Sequence, residues 1–242
     1  LDTAQNVTVT GADDYIVDGS VTSTITVAIN DGSSDDNFDA VADQTVSVTT
    51  TDDDVAGFTI AETDGSTGVT EAGSTDLFTV VLDKAPLSDV VFAIASADTG
   101  EATVTSSLTF TSANWDTPQN VTVTGADDNI IDGSVTSNIT VSINDGSSDN
   151  AFDNVADQTV SVTTTDDDVA GFTIAETDGS TGVDESGSTD LFTVVLNAQP
   201  NSDVVFAISS SDTGEATVTS SLTFTSANWD TPQNVTVTGV DD

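Results

Sequence analysis

The stretch ADQTVSVTTTDDDVAGFTIAETDGSTGV fills residues 42–69 and returns letter for letter at 156–183. The offset is 114, and it recurs elsewhere in the chain. LDTAQNVTVTGADDYIVDGSVTS begins at Leu1, WDTPQNVTVTGADDNIIDGSVTS at Trp115, and WDTPQNVTVTGVDD at Trp229. A period this long exceeds one solenoid coil and matches an immunoglobulin-sized domain. The 242 residues therefore hold two periods and a short overlap.

Within one period, short segments that alternate or are β-branched follow one another: GFTIAE (57–62), DLFTVVL (76–82), DVVFAIAS (89–96), EATVT (101–105), SLTF (107–110), QNVTVTG (119–125), SNITVSI (137–143) and QTVSVTTT (158–165). TDGSTG, EAGST, KAPLSD, ADTG, ADDNIIDG and NDGSSDN separate them with Gly, Pro, Asn and Asp turn chemistry. No stretch has capped helical periodicity. The fold class expected is all-β: tandem immunoglobulin-like antiparallel β-sandwich domains. Residues 1–55 read as the closing part of one repeat, 56–169 as a complete repeat and 170–242 as the opening part of the next. Both ends are expected to be an arbitrary window on a longer polymer. Phe58, Phe78, Phe92, Phe110 and Trp115 are the expected core of the complete repeat.

Composition narrows the function. The chain has 42 acids, one lysine (Lys84), no arginine and no histidine, for a net charge of −41. Phosphate backbones and anionic lipid surfaces need Lys and Arg, so nucleic acid and anionic membranes are excluded as partners. With no cysteine there is neither a disulfide framework nor a thiolate metal site. No signal peptide or membrane-length apolar run is visible. Without His, Cys or Arg, and with few aromatics in the turns, catalysis is not expected. Of the acids 36 are Asp, the short turn-forming carboxylate that also serves calcium in loops. Adaptation to high salt is the competing source of such acidity. Three adjacent carboxylates, Asp52–Asp54, repeat as Asp166–Asp168. Two unit charges 4 Å apart at a surface-like dielectric cost about 4 kcal/mol, so a fold that gathers more acids there needs a counter-charge from outside itself.

The period from Gly57 to Asp168 resembles a Calx-beta domain, of the kind found in tandem in large bacterial surface proteins; related domains form the calcium-sensing region of sodium–calcium exchangers. GVTEAGS, LTFTSANWDTPQNVTVTGADDNIID and TVSVTTTDDD carry the resemblance, and it extends over the whole chain. It implies Ca2+ at one end of each sandwich, held by three segments. The early-loop glutamate is Glu71, with Glu185 in the following repeat. The middle loop supplies Asp127, Asp128 and Asp132, matched by Asp13, Asp14 and Asp18 before it and by Asp241 and Asp242 after it. The closing run is Asp166, Asp167 and Asp168, matched by Asp52, Asp53 and Asp54. The family often has Glu where Asp132 stands, and its inner Asp-Tyr element has no match in SADTGEATVTSS.

Seven acids from three segments exceed the need of one calcium, which takes six to eight oxygens including carbonyls and water, so two or more ions sharing carboxylates are expected. The plain alternative is that each acid is a solvated turn residue. A second acidic stretch, NDGSSDNAFDNVAD (144–157), reads as a long loop pinned by Phe152, with an extra ion site at Asp145, Asp149, Asp153 and Asp157 as the alternative. Between 57–114 and 171–228 eight positions differ, several of them in KAPLSD against AQPNSD, read as an exposed loop that tolerates change. These features suggest an extender of an extracellular or cell-surface adhesin, stalk or fibre, stiffened by calcium. Its expected partners are neighbouring repeats, with head-to-tail or lateral self-association. A calcium-dependent glycan- or protein-binding module, or a salt-adapted surface-layer subunit, are the alternatives.

Overall fold

The structure, a computed structural model, describes residues 3–241. The chain is all-β. Its strands are β1 (Val21–Val27), β2 (Gln44–Thr50), β3 (Phe58–Glu62), β4 (Thr67–Thr70), β5 (Thr75–Leu82), β6 (Val90–Ser96), β7 (Ala102–Val104), β8 (Ser107–Phe110), β9 (Gln119–Gly125), β10 (Val135–Ile143), β11 (Gln158–Thr165), β12 (Phe172–Glu176), β13 (Thr189–Leu196), β14 (Val204–Ala207), β15 (Ala216–Val218), β16 (Ser221–Phe224) and β17 (Gln233–Gly239).

The complete repeat is a sandwich of a four-stranded sheet, β3-β5-β9-β7, and a five-stranded sheet, β4-β11-β10-β6-β8. The core lies between them because alternate residues of each strand point inward. Val121 and Val123 of β9 are buried while Asn120 is exposed and Thr122 and Thr124 are half-buried, and β11 alternates through buried Val160, Val162 and Thr164 with exposed residues between them. Phe78, Phe92 and Phe110 are fully buried and Phe58 nearly so. Phe58 meets Phe92 across the sheets at 4.9 Å, edge to face, and Phe92 meets Phe110 at 5.7 Å. Edge-to-face stacking adds to burial, about 1 kcal/mol per pair.

One core expectation shifts. Trp115 is only partly buried against the core, and its ring stacks at 6.4 Å on Tyr15 of the preceding repeat. Phe152 is fully buried and closes the core from the 144–157 loop. That loop is held by hydrogen bonds rather than by gathered acids. Asp149 accepts the amides of Leu87 (2.7 Å), Ser88 (2.9 Å) and Ala151 (3.0 Å).

The strand absent from the sequence reading is β4. It is four residues long, contains Gly68 and follows a turn, so neither alternation nor β-branching marks it clearly. It runs parallel to β11, with Thr70 opposite Thr165. The flanking repeats contribute β1–β2 on one side, and β12-β13-β17-β15 with β14-β16 on the other.

Candidate metal centre

The β4–β11 register builds the site. With Thr70 opposite Thr165, the next residues, Glu71 and Asp166, leave their strands side by side, and the Glu71 amide donates to Thr165 O at 3.1 Å. Gly125 at the end of β9 permits this close approach: a Cβ there would drive into the Thr70 carbonyl. The β9 end also brings in a residue absent from the sequence-derived set. The Ala126 amide donates to Glu101 O (2.8 Å), and Thr164 Oγ1 donates to the same carbonyl (3.3 Å). Glu101 thereby joins the tip just before β7.

Carboxylate oxygens converge in two groups, each within 4.8 Å: Glu71, Glu101 and Asp132, and Glu71, Asp166 and Asp168. Glu71 belongs to both. It is 1% exposed, and Glu101 is 7% exposed. Glu71 Oε2, Glu101 Oε2 and Asp168 Oδ2 are buried with no hydrogen-bond partner. A buried carboxylate oxygen without a partner carries a desolvation penalty that a cation removes. All the donors are hard oxygens and none is His or Cys, the chemistry of calcium or magnesium rather than zinc or copper.

The charges sense one another. Burial pushes Glu71 up to about 7, helped by Asp166, Asp128 and Asp132 and opposed by the Asp167 amide. Burial also raises Glu101, with Asp132, Asp98, Asp128 and Asp166 adding to it. Asp168 is raised by burial and then by Asp166 and Asp167. Asp166 is held low because the amides of Gly133 (2.8 Å) and Asp168 (2.7 Å) donate to it. Asp166 is thus a fixed anion, and Glu71 is the carboxylate whose charge the site resists.

The sequence-derived residues divide accordingly. Glu71, Asp132, Asp166 and Asp168 come together. Asp128 stands close enough to raise Glu71 and Glu101, while its own Oδ1 accepts the Ile130 amide at 2.6 Å. Asp127 and Asp167 are exposed and lie outside both groups. In the preceding repeat, Asp13, Asp14, Asp18, Asp52, Asp53 and Asp54 line one cleft. Asp52 there accepts the amides of Gly19 (2.7 Å), Asp54 (2.9 Å) and Asp18 (3.1 Å). Glu185 is exposed; residues 181–184, the counterparts of β4, form no strand among the described residues. It shares an open cleft with Asp184 and Glu215, the latter the counterpart of Glu101. Asp241 is exposed, and Asp242 lies outside the described residues. Asp145, Asp149, Asp153 and Asp157 form no metal-sized group among the described residues. Glu101 recurs as Glu215 at the 114-residue offset, but so do Glu62, Asp64, Asp76, Asp89 and Asp98, so the repeat alone does not single it out.

The loop read as exposed is so only in part. Ala85 is 6% exposed and Pro86 is buried, because the loop packs on the preceding repeat. Only its rim, including Leu87, is open to solvent. Among the described residues no helix is long and apolar enough to cross a membrane.

No protein-family model matches the chain, and no curated protein matches it. Solved structures resemble it distantly. CBD12 from CALX1.2 is 15% identical over 76% of each chain, with a TM-score of 0.33. Domains 4 and 5 of the S-layer protein SbsC are 18% identical over 60% of this chain and 58% of theirs, at 0.31. The E. coli chaperone DraB is 10% identical over 71% of this chain and 87% of its own, at 0.35. Scores this low carry no argument about function, which rests on the geometry of the chain itself.

Proposed function

We propose that this chain is an extender segment of a long cell-surface protein, an adhesin, stalk or fibre, in which calcium binds the acidic tip of each sandwich and stiffens the array. The observation that carries the proposal is the convergence of Glu71, Glu101, Asp132, Asp166 and Asp168, with three of their oxygens buried and unpartnered. Protein bases do not serve this cluster: Lys84, the chain's sole basic side chain, pairs with Asp54 at another tip. Two oxygen groups sharing Glu71 suit two neighbouring calcium ions bridged by one carboxylate. Magnesium, smaller and bound to near-ideal octahedral geometry, suits such a crowded flexible set less well. Extracellular calcium modules work at about 0.1–1 mM, and we place the protein outside the cell, where that concentration is met. Its partners are its own neighbouring repeats, in line or laterally. We assign it no reaction.

The tip lies where one repeat passes into the next. Asp168 precedes β12 by three residues, so ions gripping the closing run also fix the chain entering the next sandwich. Calorimetric titration with CaCl2, with MgCl2 as control, and small-angle scattering in calcium and in chelator test the proposal. Heat of binding with a longer, narrower distance distribution in calcium is expected. Absence of heat, or a maximum dimension and melting temperature indifferent to chelator, overturns it.

A further inference from the structure

The two complete junctions join near-identical repeats, yet they are built differently. Each is a parallel bridge between a middle-loop isoleucine and the loop after β5 or β13: Ile16 with Ala85, and Ile130 with Gln199. At the first, the Ala85 amide donates to Tyr15 O (2.8 Å) and the Val17 amide to Ala85 O (3.1 Å). At the second, the Gln199 amide donates to Asn129 O (2.6 Å).

Around this common bridge the differing positions of the repeats face one another. Of the eight positions that separate 57–114 from 171–228, four are Asp83/Asn197, Lys84/Ala198, Ala85/Gln199 and Leu87/Asn201. Asp83 and Asn197 do the same work, each accepting a threonine hydroxyl from the adjoining strand. The other three bear on the junction. The middle loops opposite them differ as Tyr15/Asn129 and Val17/Ile131. Lys84 Nζ lies 2.5 Å from Asp54 Oδ1 and 4.9 Å from the Tyr15 ring centre, and that ring stacks on Trp115. The Asp54 side chain is only 7% exposed, so the pair is not an open surface contact. At the second junction Ala198 has no charge and Asn129 no ring. Asn201 Nδ2 instead donates to Ile131 O at 3.1 Å, a bond Leu87 has no atom to make. The counterpart of Asp54 there is Asp168, whose Oδ2 is buried without a partner.

We propose that the junctions of this array come in two matched kinds, one locked by the built-in ammonium of Lys84 on Asp54 and Tyr15, the other left open at Asp168 to a divalent cation from solution. The loop at 83–89 and the loop at 13–18 are then a fitted pair, as are 197–203 and 127–132. Near-identical repeats are thereby told apart at their contacts, and a fibre built from both kinds bends selectively at its Ala198-type junctions when calcium falls. The open half of this proposal rests on the calcium reading above; the lysine lock does not.

Amide hydrogen exchange by NMR on the whole chain tests it, because Ala85 and Gln199 hold the same place at the two junctions. In chelator the Ala85 amide is expected to be at least tenfold better protected than that of Gln199. Saturating CaCl2 raises Gln199 tenfold or more and Ala85 less than twofold. K84Q, which keeps most of the stem, lowers Ala85 protection at least fivefold in chelator while core amides such as Val121 hold theirs. A198K, in the opposite sense, raises Gln199 in chelator. Equal protection of Ala85 and Gln199 in chelator, or no response to K84Q, overturns the proposal. If calorimetry registers calcium but Gln199 does not respond, the open junction fails while the calcium reading stands. If calorimetry registers none, the calcium reading fails and the K84Q result alone judges the lock.

Discussion

Replacing Glu71 by Gln removes one charge from the most crowded point of the complete repeat, and its effect changes sign with calcium. In the metal-free protein Glu71 is pushed from an ordinary 4.5 to about 7, burial being the first cause. At low pH the carboxyl is protonated in both folded and unfolded chains and has no linkage effect. Between 4.5 and 7 the unfolded chain releases this proton and the folded one keeps it, so metal-free stability falls as pH rises and levels off above 7. At about 1.4 kcal/mol per pKa unit, that interval is worth roughly 3 kcal/mol as a ceiling. The site is at a domain tip with water on one side, and screening lowers the figure to about 1–2 kcal/mol.

E71Q in chelator should therefore melt with wild type near pH 4.5 and above it at pH 8, by roughly 5–10 °C for a domain of this size. Calcium should reverse the order, since wild type gains about 2.7 kcal/mol at a hundredfold excess over its dissociation constant. The variant, lacking the shared carboxylate, gains far less. Thermal unfolding followed through Trp115 fluorescence, with Trp229 replaced by Phe, reads this directly. The comparison is between the two proteins at each pH, which cancels the shared effects of the other acids. A gap in chelator that does not widen from pH 4.5 to pH 8, or an E71Q protein that gains from calcium as wild type does, refutes the reasoning.

G125A should cost about 1–3 kcal/mol in chemical denaturation, because the new methyl meets the Thr70 backbone, and should weaken calcium binding by shifting Glu71. E101Q should lower the number of calcium ions bound per complete repeat, or weaken one of them tenfold or more, in calorimetric titration; a carboxylate outside the site would leave the isotherm unchanged. D149A strips the amides of Leu87, Ser88 and Ala151 of their acceptor and should destabilise by about 1–3 kcal/mol. The calcium stoichiometry of D149A should equal that of wild type, since Asp149 holds a loop.

Eight of the strands of the complete repeat could be read from alternation, because a half-buried strand writes its two faces into the sequence. QNVTVTG and QTVSVTTT match β9 and β11 residue for residue. β4 escaped because a four-residue strand with a glycine has no period to display, and its partner β11 lies 95 residues on, Thr67 opposite Val162. That omission mattered for the site, since the β4 register is what sets Glu71 beside Asp166. Asp166 and Asp168 were legible as a repeated run of like charge. Glu101 was not: a single acid beside a turn looks like any solvated acid until β9 and β11 close over it. The loop at 84–89 was read only in part, for a different reason. Variation reads as tolerance only when the partner surface is fixed, and here Tyr15 and Asn129 vary with it.

The spacing between tip and next strand explains why one carboxylate run can serve two purposes. From Asp54 to Phe58 the chain has four residue steps, a reach of at most about 14 Å. Neighbouring sandwiches cannot part when a junction opens; only their relative angle is released. The bridge at Ile16 contributes two backbone hydrogen bonds and that at Ile130 one, with one more from Asn201, too few to hold that angle against a chain of net charge −41. The third aspartate of the first run stands at the hinge: Asp54 lines the cleft of its own tip and pairs with Lys84 of the incoming loop, while its counterpart Asp168 joins Glu71 and Asp166 in its own tip. Whatever cation sits on it, an ammonium from Lys84 or an ion from solution, removes repulsion inside one domain and fixes the next in the same act. Stiffness and tip stability should then be inseparable at the second junction, and separable at the first, where the counter-charge belongs to the neighbour.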